Sequence, residues 1–192
     1  MPPARILVTG AFGNIGCAVL RALADRGDIP IGFDIPTPQN KKAAKGFRGY
    51  QAIWGDIRDE AAVDSAVVEV DGVIHLAGII PPHSEANPDL AFAVNVGGTE
   101  NLLKAIQRRG IGKRLVFASS IAVHGIRPID AEPLRADAAY APMDHYSKHK
   151  VECEGCPHAV AELELCLRLF ASKRKGMELS LDEDMCRPSD VK

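Results

Sequence analysis

With 192 residues, 46% apolar and 25% charged, the chain is long enough for one sizeable core and too short for two domains of ordinary size. A formal net charge of -2 gives no electrostatic footing for nucleic acid or an anionic membrane, and no run of about 18 apolar residues is present to span a bilayer. Five cysteines at irregular spacing fit reduced thiols better than a disulfide framework, and the N-terminus enters a strand with no secretory leader, so a cytoplasmic protein is expected.

The first predicted element is the apolar strand Arg5-Ile6-Leu7-Val8. It runs through Thr9 into Gly10, Gly13 and Gly16, then into a helix with Ile15, Val19, Leu20 and Leu23 on one face that ends near Arg26-Gly27. Strand, glycine-rich turn and helix N-terminus together aim backbone N–H groups and a partial positive charge at one point, which suits a pyrophosphate. Gly10 allows the tight turn, Gly13 the close approach of a dinucleotide, and Gly16 close packing of helix on strand. The second strand, Ile29 to Asp34, closes on a carboxylate 18 residues after Gly16, about where an acid hydrogen-bonds the adenosine ribose and repels a 2′-phosphate. NAD is therefore expected over NADP, although Lys41, Lys42 and Arg48, in a polar loop, carry charge that offsets that repulsion.

Tyr50 to Trp54 alternates as a third strand and leads to Gly55-Asp56-Ile57, after which Asp59 is placed to cap a helix through Ala61, Ala62, Val63 and Val67. Val73-Ile74-His75-Leu76-Ala77-Gly78 reads as a strand buried on both faces, with His75 a packed core or strand-end histidine. Asn87-Pro88-Asp89 has the order of N-cap, first-turn proline and first-turn acid. The spacing of Leu90, Val94, Gly98, Leu102 and Ile106 predicts one long helix. Gly97 and Gly98 inside it call for close packing or a ligand as compensation. Arg114 to Ala118 is a fifth strand ending at Ser119-Ser120, and a surface loop follows from Gly125 to Pro142. Strands alternating with helices, with no hairpin signal, give an α/β fold: a doubly wound parallel sheet in a single domain with right-handed crossovers.

Tyr146 and Lys150 stand at i and i+4 of a helix, on one face. A nearby ammonium helps a phenol act as a base, and Ser120 at a strand end is placed to hold a substrate oxygen against it while hydride passes to or from a nicotinamide. Cys153-Glu154-Gly155-Cys156, with His149 and His158, has zinc-ligand residue types. It continues the same helix and no matching second pair exists, so no metal is expected.

The ordered set Thr9 to Gly16, Asp34, Gly55-Asp56-Ile57, His75 to Gly78, Asn95, Ser119-Ser120 and Tyr146 to Lys150 resembles the extended short-chain dehydrogenase/reductase family. More narrowly it is similar to the NAD-dependent nucleotide-sugar epimerases and dehydratases, over about residues 4 to 170. The resemblance implies a Rossmann-type domain over 1–170. In it Gly10, Gly13, Asn14, Ile15 and Gly16 lie at the pyrophosphate, Asp34 at the ribose, and Asp56 and Ile57 at the adenine. Leu76, Ala77 and Gly78 line the far side of the cofactor, and Asn95 sits behind the nicotinamide. Ser120, Tyr146 and Lys150 match the catalytic positions, the last two also as cofactor contacts. Ser120 is chosen over Ser119 because Ile121 to Gly125 follows it at the family's spacing. The family often has Tyr where His124 stands. A homodimer through helices 88–109 and 145–161 is implied as well.

Leu163 to Phe170 reads as a sixth strand, and there the resemblance ends. Residues 171–192 form a divergent, charged tail expected to be mobile, where relatives continue into a substrate domain. The abrupt departure suggests truncation or a shifted reading frame. Two functions of different class follow: an NAD-dependent epimerase, dehydratase or dehydrogenase acting on a nucleotide sugar, or an NAD-binding module without turnover. Within the enzyme reading, reduction of a non-sugar ketone is the nearest rival.

Overall fold

The computed structural model describes residues 2–47, 49–109, 114–128, 133–135 and 138–156. Five strands, β1 (Arg5–Thr9), β2 (Ile29–Asp34), β3 (Gln51–Trp54), β4 (Gly72–His75) and β5 (Arg114–Phe117), form one parallel sheet in the order β3-β2-β1-β4-β5. This is the predicted doubly wound arrangement. The chain winds outward from β1 in one direction and then the other, so the strand order reverses there, where open α/β sheets bind ligands. In register, Thr9 lies beside Phe33 and His75, and His75 beside Phe117, so the strands deliver their C-terminal ends to one common edge.

Alternate residues of β1 feed opposite cores. Leu7 joins Ile31, Phe33, Val63, Val67, Val73, Leu102 and Leu115 on one face, under α3 (Glu60–Ala66) and α6 (Gly98–Arg108). Val8 joins Ala11, Phe12, Leu20, Leu23 and Ala44 on the other, under α1 (Asn14–Asp25) and α2 (Pro38–Ala44). A strand covered on both faces needs apolar side chains of both parities, which is why β1 reads as a continuous apolar run. Asp59 caps α3 as expected, accepting from the N–H groups of Ala61 and Ala62.

Six expectations need correction. The supposed polar loop around Lys41 and Lys42 is largely helix α2, begun by Thr37, which accepts from Asn40 N, and by Pro38 in the first turn. Ile15 leaves the buried face of α1 and is 67% exposed at the mouth of the glycine turn. The fourth strand ends at His75, and Leu76 to Gly78 leave the sheet. The single long helix is instead α5 (Pro88–Phe92), a π-helical turn over Ala93–Gly97, and α6, preceded by an unforeseen short helix α4 (His83–Ala86). The Asn87 side chain caps nothing. The last described helix, α7 (His145–Glu154), closes at Gly155, short of the expected 161. The rest of that expected helix, the sixth strand at 163–170, the tail 171–192 and Arg48 lie outside the described residues. Among the described residues no helix is long and apolar enough to cross a membrane.

The two helix glycines have different reasons. A Cβ on Gly98 would lie 2.5 Å from Ile57 Cγ2, so α6 rests directly on the Ile57 side chain, whereas a Cβ on Gly97 meets nothing within 4 Å. Gly98→Ala should therefore destabilise by about 1–3 kcal/mol through overpacking. Gly97→Ala should be neutral or stabilising by up to about 1 kcal/mol, since alanine restricts the unfolded chain. Urea midpoints of the two variants check this, and equal effects would contradict it.

Candidate functional site

The glycine turn is shaped by backbone contacts that exclude side chains. Gly10 has φ +65°, and a Cβ there would lie 2.8 Å from Ala77 N; one on Gly16 would lie 2.3 Å from Gly10 O. Both fix how close β1, β4 and α1 come to one another. Gly13 differs: a Cβ there meets only Gly10 O, at 3.5 Å, and its outer side is open. Gly13 is also the N-cap of α1, and no side chain caps that end, whereas Thr37, Asp59 and Asp144 cap α2, α3 and α7. The first turn of α1 thus presents N–H groups and its positive dipole end to the opening, with Asn14 and Ile15 exposed beside it.

A cleft of about 370 Å³ starts at this turn. It runs past Phe33, Asp34, Ile35 and Asn40 to Gly55, Asp56, Ile57 and Arg58, and along Leu76 to Ile79 on the other side. Asp34 is held rigidly: one oxygen accepts from Phe12 N at 2.9 Å, the other from Ile35 N at 2.9 Å and Asn40 Nδ2 at 3.0 Å. Burial nonetheless raises its pKa, with the Phe12 and Ile35 N–H groups opposing. Asp56 pairs with Arg58 through Nε and Nη2, the closest approach 2.5 Å, and that bond lowers its pKa. Asn40 and Arg58 were missed by sequence reasoning. Their signals were the Thr37-Pro38 helix start, which points Asn40 back at Asp34, and the placing of Arg58 two residues after Asp56.

The wall formed by Leu76 to Ile79 is set from behind. Thr99 Oγ1 donates its only hydrogen to Asn95 O at 2.5 Å, so it must accept from His75 Nε2 at 2.9 Å. His75 Nδ1 is then the acceptor for the Thr9 hydroxyl at 2.6 Å, and Thr9 Oγ1 accepts from the N–H groups of Leu76 and Ala77. This directional chain fixes His75 as the neutral Nε2–H tautomer at 1% exposure, a core histidine as expected. Asn95, also buried, grips Ile79 from both sides: Oδ1 accepts from Ile79 N at 2.7 Å and Nδ2 donates to Ile79 O at 2.9 Å. Its amide supports the wall and does not line the cleft.

Ser120, Tyr146 and Lys150 come together at the neighbouring strand end and lie outside the cleft lining proper. Asp144 and Ser147 form a capping box that starts α7, and Glu85 of α4 accepts from the N–H groups of His145 and Tyr146. The Ser120 hydroxyl lies near the Tyr146 phenol and accepts from Ala122 N, while the adjacent Ser119 turns to Glu154. Lys150 Nζ donates to Ala118 O at 2.7 Å, sits 4.4 Å from the Phe117 ring centroid, and lies 5.6 Å from that of Tyr146. Burial raises the Tyr146 pKa; the nearby Ser120 hydroxyl opposes this and Asp144 adds to it. The expected lowering by Lys150 is thus not what governs the phenol here. Burial also lowers the Lys150 pKa, against Cys153 and Glu154.

Burial, with Lys150 adding to it, pushes the His75 pKa down to about 3 from an ordinary 6.5. A depressed folded value means stability is complete above pH 6.5 and is lost as pH falls from there toward 3. The loss should approach about 1.4 kcal/mol per pH unit. Denaturant midpoints between pH 7 and 5 should fall for the native chain and fall less for His75→Gln. Identical slopes would remove this role.

Comparison with known proteins places these features in context. A model of the NAD dependent epimerase/dehydratase family matches residues 6–170. L-arabinose 1-dehydrogenase (NAD(P)(+)) of Haloferax volcanii is 40% identical over 139 residues, covering 70% of this chain and 50% of its own length. UDP-glucose 4-epimerase of Azospirillum brasilense is 34% identical over 153 residues, covering 78% and 42%. Among solved structures, a UDP-glucose 4-epimerase of Thermus thermophilus in complex with NAD superposes with a TM-score of 0.73 at 28% identity, covering 85% of this chain and 52% of that one. A short-chain dehydrogenase/reductase superfamily protein of Agrobacterium tumefaciens with bound NAD gives 0.67 at 34% identity, covering 78% and 43%. The chain spans about half the length of these relatives.

Proposed function

Because the chain belongs to the NAD-dependent epimerase/dehydratase family, we propose that it transfers hydride between NAD and a carbon of a nucleotide sugar, with Ser120, Tyr146 and Lys150 moving the accompanying proton. The observation that carries the reading is Lys150 Nζ lying 5.6 Å from the Tyr146 ring centroid and donating to Ala118 O two residues before Ser120, one strand end away from a cleft whose glycine turn leaves room for a pyrophosphate. NAD is the family's cofactor, and the uncapped start of α1, the open side of Gly13 and the carboxylate of Asp34 fit it. In this reading Gly10, Gly13, Asn14, Ile15 and Gly16 surround the pyrophosphate and Asp34 takes the ribose hydroxyls. Asp56 and Ile57 flank the adenine, and Leu76, Ala77 and Gly78 back the nicotinamide half.

NAD, when bound, would supply the hydride acceptor and, in its oxidised form, a positive charge. Tyr146 takes the proton from the substrate hydroxyl as that carbon gives up hydride, and returns it in the reverse direction. Ser120 orients the substrate oxygen toward the phenol. Lys150 holds Ala118 and keeps a cation near Tyr146, partly offsetting the burial that disfavours phenolate. The same reading takes residues 1–170 as one domain with 171–192 apart from it. It includes a homodimer through α5, α6 and α7, for which the exposed Leu90 and Phe92 speak. A cytoplasmic setting suits the free thiols of Cys17, Cys153 and Cys156.

Titration of the full chain with NAD and NADP should give tighter binding of NAD, and Asp34→Ala should reduce that preference. Incubation with a panel of nucleotide sugars and free aldoses, following reduced nicotinamide and product stereochemistry, should give turnover that Tyr146→Phe lowers by about 100-fold or more with NAD affinity retained. Lys150→Met should lose turnover and weaken NAD as well. A chain that binds neither dinucleotide overturns the cofactor reading, and full turnover by Tyr146→Phe overturns the relay.

A further inference from the structure

Three consecutive residues at the end of β5 meet three side chains of α7 spaced one turn apart, and two of them are fastened there by hydrogen bonds. Ala118 O accepts from Lys150, Ser119 Oγ donates to Glu154 Oε1, and the Ser120 hydroxyl lies near the Tyr146 phenol. Tyr146, Lys150 and Glu154 stand at i, i+4 and i+8, on a single helix face. The proposed chemistry uses the first two and leaves Glu154 without a role, yet both of its oxygens are engaged. Tyr140 OH donates to Oε2 at 2.5 Å.

We infer that Glu154 is a positioning residue which anchors the β5 end so that Ser120, and not Ser119, faces the Tyr146 phenol. Two adjacent hydroxyls lie within reach of α7, and a charged acceptor binds one of them more strongly than a neutral phenol can. Once Ser119 is held, the strand end cannot rotate to exchange the two serines. The second oxygen extends the clamp. Tyr140 belongs to a segment tied back to the 3₁₀ turn Ile121–His124 by Ala141 N donating to Val123 O at 2.8 Å and by His124 Nδ1 at 3.1 Å from Ala139 O. The carboxylate thus closes a ring of contacts from β5 through the 3₁₀ turn and residues 138–141 to α7. Ser119, Tyr140 and Lys150 are the polar groups facing Glu154. Tyr140 keeps its proton, its pKa pushed up to about 12 chiefly by the hydrogen bond to Glu154.

The consequence for turnover rests on the Ser120–Tyr146–Lys150 reading, but the positional claim does not, and it is tested without turnover. The full chain labelled with carbon-13 at tyrosine Cζ has three resonances, for Tyr50, Tyr140 and Tyr146, assigned by single Phe substitutions. Tyr50 donates to Ala44 O, away from this clamp, and reports whether the fold is intact. Glu154→Ala and Ser119→Ala should each move the Tyr146 resonance toward its position in Ser120→Ala, with Tyr50 unmoved. Glu154→Gln, which keeps an acceptor for Ser119, should hold Tyr146 near its native position. An unmoved Tyr146 resonance in the alanine variants, or a Gln variant displaced as far as Ala, overturns the inference. Should Glu154→Ala disturb Tyr50, Ser119→Ala decides alone. Full turnover by Tyr146→Phe would remove the relay and leave this result standing.

Discussion

The contact between Gly10 and Ala77 brings the ends of β1 and β4 together at backbone distance, and the cleft depends on it. A Cβ on Gly10 would sit 2.8 Å from Ala77 N, inside any real contact distance. With hydrogen in its place, the β1 turn and the Leu76–Gly78 segment share one wall, and α1 starts close enough for its N-terminus to face the same opening. Gly16 repeats the device one helical turn on, against Gly10 O. Two missing side chains thus set the spacing of three elements, and no polar interaction could do this at comparable range.

Behind that wall the polar groups are arranged so that none is left over. The run from Leu76 and Ala77 through Thr9, His75 and Thr99 to Asn95 gives each hydroxyl one donor role and at least one acceptor role. Buried networks of this kind hold one geometry because any rotation strands a donor. Asn95 belongs to it twice, through its carbonyl to Thr99 and through its side chain to Ile79. The wall is thereby tied to the π-helical turn that holds Asn95 and to α6, which holds Thr99.

Much of this was legible in the sequence because it depends on local chemistry. The glycine turn, Asp34 at the end of β2, the Asp59 cap and the apolar strands each carry a signal within a few residues. Helix α2 was hidden because its residues are polar and its surface is solvated, leaving only Thr37-Pro38 to mark it. Ile15 was misassigned because helical periodicity does not say where a helix begins to face solvent. The break at 93–97 was invisible because periodic apolar residues on either side mimic one continuous helix. Contacts such as Asn40 to Asp34 and Glu154 to Ser119 depend on how elements meet, which no single stretch encodes.

The π-helical turn at Ala93–Gly97 ties the fold's regularity to the site in opposite senses. A turn of this kind carries one residue more than an α-helix needs, and each residue rotates a helix by about 100°. Deleting one residue there would restore a regular helix with better internal hydrogen bonding. It would also swing Asn95 off Ile79 and turn either α5 or α6 away from its neighbours. The irregularity therefore sets the helix's own regularity against the placement of a cleft wall.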